Sequence, residues 1–286
     1  MVLPQLFFLT FVVAGFWARN PWAGYGAAVI LLGGVVSSIL ARIRDGGTAS
    51  QSLLLTSVLG VALATMYFSA GQALGPARPL RRGLPWLIFA CLLALFPLVF
   101  QAYVMPTGGM ENTLLQGDSV FILRRFASGA PHRGDIVAHR YPLDRRQSFV
   151  KRVVAVAGDR VRLRKKKLVV NDRESSEPYV INNSPYEDVF RDNFPQAVED
   201  DLPSNEWANF LRQSAGGEIT VPVGKLFVLG DNRDSSLDSR YWGFVDEGDV
   251  LGRPVIVYWS VPRRRTTDDS ESWLASVRWH RIFHWL

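Results

Sequence analysis

With 286 residues and a formal net charge of +6, the chain has the balance of a nucleic-acid binder, but the placement of that charge argues against one. Residues 1–104 hold six arginines (Arg19, Arg42, Arg44, Arg78, Arg81 and Arg82) against one acid, Asp45, whereas the remaining 182 residues carry 26 basic and 25 acidic side chains and offer no basic stripe to a phosphate backbone. The single cysteine, Cys91, excludes a disulfide within the chain.

In the N-terminal third the arginines sit between apolar runs at roughly 2–17, 23–41, 53–70 and 86–104, which is the pattern of a membrane protein. A helix needs about 20 apolar residues to cross the hydrocarbon core. The fourth run, "WLIFACLLALFPLVFQAYV", reaches that length with only Gln101 as a polar break. The first run is short enough to be the core of a signal peptide, but it lacks a basic flank, and "FWARNPW" is a poor cleavage site. Three or four transmembrane helices are expected. Arg78, Arg81 and Arg82 precede the last of them, so that loop is expected on the cytoplasmic side and residues 105–286 outside.

Beyond residue 104 the pattern changes to short β-branched and aromatic runs: "SVFILRR", "DIVAHRY", "SFVKRVVAVAGDRVRL", "KLVVND", "GKLFVLGD" and "RPVIVYWS". Gly, Asp, Asn and Pro punctuate them, which predicts strands. One short helix is expected near "EDDLPSNEWANFLRQ", and the polar stretch 171–220 reads as an insertion between core strands. The C-terminal "SVRWHRIFHWL" interleaves aromatics with basic residues; it suits either a final packed element or a patch for lipid headgroups.

Metal and cofactor chemistry find no support. His132, His139, His280 and His284 show no ligand spacing, and Arg233 occupies what would be a ligand position in the calcium-loop-like "GDNRDSSLDSR". No glycine-rich phosphate loop is present. His139 could join a Ser-His-Asp triad, but no serine stands on a recognisable elbow. No metal and no cofactor are expected.

Four segments remain, in order: "PTGGMENTLLQGD", "RGDIVAHRYP", "SFVKRVVAVAGDRV" and "VPVGKLFVLGDNRDSSLDSRYWGFV". Together they resemble bacterial type I signal peptidases, membrane-bound serine endopeptidases that work with a Ser-Lys dyad, and the resemblance covers residues 86–286. It implies N-terminal transmembrane helices followed by a mostly-β extracytoplasmic catalytic domain with a polar insertion. It further implies the plasma membrane as location and two partners, the lipid bilayer and the signal peptides of exported preproteins.

Residue by residue, the resemblance makes Lys151 the general base, which requires burial to bring its amine well below the usual lysine range. Ser236 matches the serine that orients the lysine. Asp238 and Arg240 match a supporting ion pair, and Asp231, Asn232, Arg233 and Asp234 the turn beneath it. In Pro106-Thr107-Gly108-Gly109-Met110 the nucleophilic serine's position holds Gly109, so activity is in doubt, and a non-cleaving homologue that binds signal peptides is the alternative. Thr107 and the Gly109 N–H remain as oxyanion-hole donors. Thr107 is also a candidate substitute nucleophile: were the segment extended, residues 107 and 109 would lie on one face about 6.6 Å apart, so an amine placed for 109 would reach Thr107 only if the loop shifts.

Overall fold

The computed structural model describes residues 96–196, 198, 201–214, 217–262 and 276–286. The chain divides into two compact units, Met1–Gln101 and Ala102–Leu286. The first three apolar runs, and the fourth up to residue 95, lie outside the described residues. Among the described residues no helix is long and apolar enough to cross a membrane.

The fourth run does not stay helical to residue 104. Its last five residues are strand β1 (Phe100–Val104), which neighbours β2 (Asp118–Arg124) at the sheet edge. Phe, Tyr and Val suit a pleated, half-buried surface, and the Tyr103 hydroxyl donates to the Ser148 carbonyl at 2.5 Å. The β-domain therefore starts inside the apolar run.

A short helix α1 (Arg125–Ser128) leads on to β3 (Ile136–Tyr141) and the 13-residue β4 (Asp144–Val156). Next come β5 (Arg160–Arg164), β6 (Lys167–Val170) and β7 (Arg173–Glu174), then helices α2 (Val189–Asp192) and α3 (Asn205–Gln213). The chain returns through β8 (Ile219–Thr220), β9 (Lys225–Leu229), α4 (Ser239–Trp242), β10 (Val245–Asp246), β11 (Val250–Ser260) and β12 (His284–Trp285). The large sheet runs β1-β2-β11-β3-β4-β9-β10, with β12 on β11, and a small sheet runs β7-β6-β5-β8. The expected strands all form, and α3 falls inside the segment read as helical, with Ser204 capping the Trp207 N–H at 3.2 Å.

The insertion is wider than residues 171–220. The small sheet begins at Arg160, because β5 and β6 pair with each other rather than with the large sheet. Their alternating apolar residues Val161, Leu163, Leu168 and Val170 join Phe190, Phe194 and Trp207 in a core that also takes in Val154, Ala155, Phe227 and Leu229. Strand β4 contributes to every core: Val150 packs with Met110, Leu114 and Ile122, and Val153 with Val228 and Trp242. With both faces covered, its residues 150–155 are all buried.

At Gly252, β11 bends between its two neighbours, facing Arg124 of β2 and Ala138 of β3. A Cβ there would lie 2.0 Å from the Leu123 carbonyl oxygen, on a backbone with φ of +157°. Gly252→Ala is therefore expected to cost about 1–3 kcal/mol, as overpacking against unyielding backbone does, measured as a lowered midpoint in urea unfolding.

Candidate active site

Lys151 stands on β4 opposite Val137 of β3. On a strand covered on both faces its side chain is buried. Its Nζ lies 2.7 Å from Ser236 Oγ, and the Phe149 ring centroid is 6.0 Å away. Burial brings the amine down to about 8, since an ammonium loses its water there; Arg240 adds to the effect, while Asp238 and Asp231 oppose it.

Ser236 arrives on the connection between β9 and α4. After β9 the chain turns through Gly230, Asp231 and Asn232 into a 3-10 turn, Arg233–Ser235. Asp238 then caps α4 by accepting from the Arg240 N–H. Asp238 and Arg240 are fully buried and joined at 2.8 Å through both Nε and Nη2. Burial alone would raise the Asp238 carboxyl; the Arg240 charge beside it prevails and holds it below the usual carboxylate range.

Gly109 sits in a series of turns, not in an extended segment. The Glu111 N–H donates to the Gly108 carbonyl at 3.0 Å and the Leu114 N–H to the Met110 carbonyl at 2.8 Å, while Met110 and Leu114 anchor the turns in the core. The two-residue alternation expected for 107–109 therefore does not hold, and the Thr107 hydroxyl makes no hydrogen bond to Lys151 among the described residues. A Cβ added at Gly109 would lie 3.1 Å from Lys151 Nζ and 3.6 Å from Ser236 Oγ. Residue 109 thus faces the Lys151–Ser236 pair directly.

Asn232 locks this arrangement. Its N–H donates to the Gly109 carbonyl at 3.2 Å, and its Nδ2 reaches the Gly108 carbonyl at 3.2 Å and Glu111 Oε2 at 3.1 Å. Gly230 permits the approach, because a Cβ there would fall 2.1 Å from Ser236 Oγ and 2.3 Å from the Gly109 carbonyl oxygen. A cavity of about 200 Å³ opens in front, lined by Thr107, Gly109, Lys151 and Ser235 and walled by Tyr103, Met105, Met110, Phe149, Val150 and Leu237.

The turn residues expected to position the site each hold a different segment. Asp231 accepts from Arg152 at 2.8 and 2.6 Å and from the Thr113 hydroxyl at 2.6 Å. Arg233 forms a bidentate pair with Glu177 at 2.9 and 2.6 Å. Asp234 accepts from Lys166 and from the Ser184 N–H. Arg152, Thr113, Glu177 and Tyr179, whose ring centroid is 3.7 Å from the Arg152 guanidinium, are supporting residues that the sequence motifs did not mark. The only hint was a second basic residue beside Lys151 in an apolar strand.

His139 does not belong to this cluster. It is fully buried against Trp242, its Nδ1 faces the Arg140 carbonyl, and its Nε2 has no partner. Burial takes its imidazole down to about 4, so it stays neutral. Among the described residues no group of His, Cys, Asp and Glu could hold a metal ion.

The signal peptidase, peptidase S26 family matches residues 80–259. Similar proteins include a signal peptidase I of Bacillus caldolyticus, 32% identical over 177 residues, covering 61% of this chain and 88% of that protein. Another is a signal peptidase I of Aquifex aeolicus (strain VF5), 28% identical over 227 residues and covering 68% of this chain and 89% of that protein. A third, from Buchnera aphidicola subsp. Acyrthosiphon pisum (strain APS), is 26% identical over 250 residues, covering 68% and 78%.

Arg240→Ala should strand the Asp238 carboxylate, a buried charge without its partner, and lower stability by about 3–5 kcal/mol in denaturant unfolding. Freed of the opposing guanidinium, Asp238 should also hold Lys151 protonated to higher pH, read as an upward shift in the pH at which its amine becomes reactive toward an acylating reagent.

Proposed function

The chain belongs to the signal peptidase family, peptidase S26, and from that premise we propose how its site removes N-terminal signal peptides from exported proteins. Lys151 is the general base, Ser236 orients its amine, and the Asp238–Arg240 pair fixes the turn that carries Ser236. The Thr107 hydroxyl and the Gly109 N–H are the donors for a developing oxyanion. The cavity favours small side chains next to the scissile bond, because Met105, Met110 and Leu237 wall it closely. No cofactor enters. The apolar runs before residue 96 anchor the enzyme in the plasma membrane as three or four spans, with the β-domain on the extracytoplasmic face, where signal peptides emerge.

The observation that carries this reading is the position of residue 109. Its absent Cβ would stand 3.1 Å from a buried, low-pKa lysine, where an attacking hydroxyl would meet its base. The same glycine supports a second reading, a homologue that binds signal peptides and does not cut. One substitution separates the two. In Gly109→Ser the hydroxymethyl needs the Lys151 amine to give way by a few tenths of an ångström, which the free end of a lysine can do. Cleavage of a preprotein, followed by mass spectrometry, should rise by several powers of ten. Gly109→Ala should give no gain, since it adds bulk without a nucleophile. A well-folded Gly109→Ser chain that stays inert would favour the binding-only reading.

The base must be neutral to accept a proton, so kcat/KM of Gly109→Ser should climb with pH and level off above about 8, where the amine is free. A pH profile flat from 6 to 9 would remove Lys151 from that role. For the topology, a reporter active only in the cytoplasm and fused after residue 286 should stay silent; strong signal there would reverse the orientation read from Arg78, Arg81 and Arg82.

A further inference from the structure

We propose that, in the chain as it stands, Ser236 is the nucleophile and Lys151 its base. The inference rests on reading this site as a signal-peptide-cleaving one, and it changes which hydroxyl attacks. Among the described residues, Ser236 is the serine whose Oγ touches the Lys151 amine, at 2.7 Å. Thr107 makes no such contact. Ser235 lines the cavity but leaves its neighbour to meet the lysine.

The glycine makes Ser236 reachable. A side chain at 109 would begin 3.1 Å from Lys151 Nζ and 3.6 Å from Ser236 Oγ, crowding both. Without it, Lys151 lines the cavity beside Thr107, Gly109 and Ser235, and Ser236, in hydrogen-bond contact with that amine, retains 6% exposure. Glycine also allows another backbone to come close, so a scissile carbonyl can settle deeper, toward the roughly 3–3.5 Å that attack requires. Gly230 backs the hydroxyl from the other side, where no Cβ would fit.

The chemistry is that of a Ser-Lys pair. Ser236 Oγ forms a bond to the carbonyl carbon while its proton passes to the Lys151 amine. The tetrahedral species collapses, the carbon–nitrogen bond breaks, and the leaving amine takes the proton back from Lys151. A water molecule, giving its proton to Lys151, then attacks the ester carbonyl; the carbon–Oγ bond breaks, Lys151 returns the proton to Ser236 Oγ, and the peptide acid leaves. Because the carbonyl must move off the position built for residue 109, acylation should run roughly 10²–10⁴-fold slower than in Gly109→Ser.

The test uses the full chain in detergent with the 4-nitrophenyl ester of a short peptide ending in alanine. Expected is a burst of one nitrophenolate per chain and, after acid quench, a hydroxylamine-labile acyl group on Ser236 by peptide mass spectrometry. Ser236→Ala should abolish the burst, and Ser236→Cys should keep the label at 236 as a thioester. The double variant Gly109→Ser/Ser236→Ala should still acylate at 109, which shows that the site survives loss of the Ser236 hydroxyl. An acyl group on Thr107, a hydroxylamine-stable amide on Lys151, turnover with no acyl-enzyme, or no reaction would each overturn the proposal. If Gly109→Ser acylates while the parent chain does not, only the role of Ser236 fails. If neither acylates, the reading of the whole site fails with it.

Discussion

A buried lysine gives up its proton where the cost of burying its charge outweighs the pull of nearby carboxylates. Lys151 lies near a buried carboxylate, Asp238, which on its own would hold the ammonium in place. Arg240, locked to Asp238 with neither side chain exposed, offsets part of that pull. The cost of burial outweighs what Asp238 and Asp231 still exert on the amine. The ion pair is weak evidence for stability in itself. Its larger effect is electrostatic: it lets a carboxylate cap α4 while Arg240 weakens the hold of that charge on the lysine next to it.

Everything else in the site sets three segments at the correct separation. Strand β4 brings Lys151, the turns after β1 bring Gly109, and the connection after β9 brings Ser236. Asn232 binds the second of these to the third through the Gly108 and Gly109 carbonyls. Gly230 permits the contact by having no side chain. The pieces are rigid because each is tied to backbone or to a buried partner, and such support is what a reacting geometry requires.

Much of this was legible beforehand. The strands announced themselves through β-branched runs between turn residues, and α3 through the segment "EDDLPSNEWANFLRQ". That Lys151 would meet Ser236, and Asp238 pair with Arg240, was implied by the resemblance to signal peptidases, and the fold brings both pairs together. What could not be read was set by tertiary contact. Phe100–Val104 continues an apolar run with Gln101 alone to interrupt it, and only pairing with β2 makes it a strand. Strands β5 and β6 carry the same alternation as the large sheet, so their membership of a second sheet depends on partners far along the chain. The turned conformation of 107–110 rests on the anchors Met110 and Leu114 and on Asn232, more than 120 residues away. Arg152, Glu177 and Tyr179 sit in unremarkable contexts, and their roles exist only once the chain is folded around them. At the C-terminus the reading as a final packed element holds: β12 pairs with β11 and Arg281 reaches Asp118 at 2.6 Å, with Trp279, Phe283 and Trp285 exposed beside it.

The segment between the two sheets reaches further than its polar composition suggests. Glu177 neutralises Arg233, and Tyr179 lies flat on Arg152 while its carbonyl accepts from Asn112 at 3.0 Å. A minimal domain trimmed of this loop would keep the large sheet and the lysine, yet it would uncover one guanidinium and leave another without its counter-ion, both beside the reacting groups. Shortening the protein for crystallisation or for display must therefore spare Glu177 and Tyr179, and equally Phe190, Phe194 and Trp207, which share a core with β4 and β9.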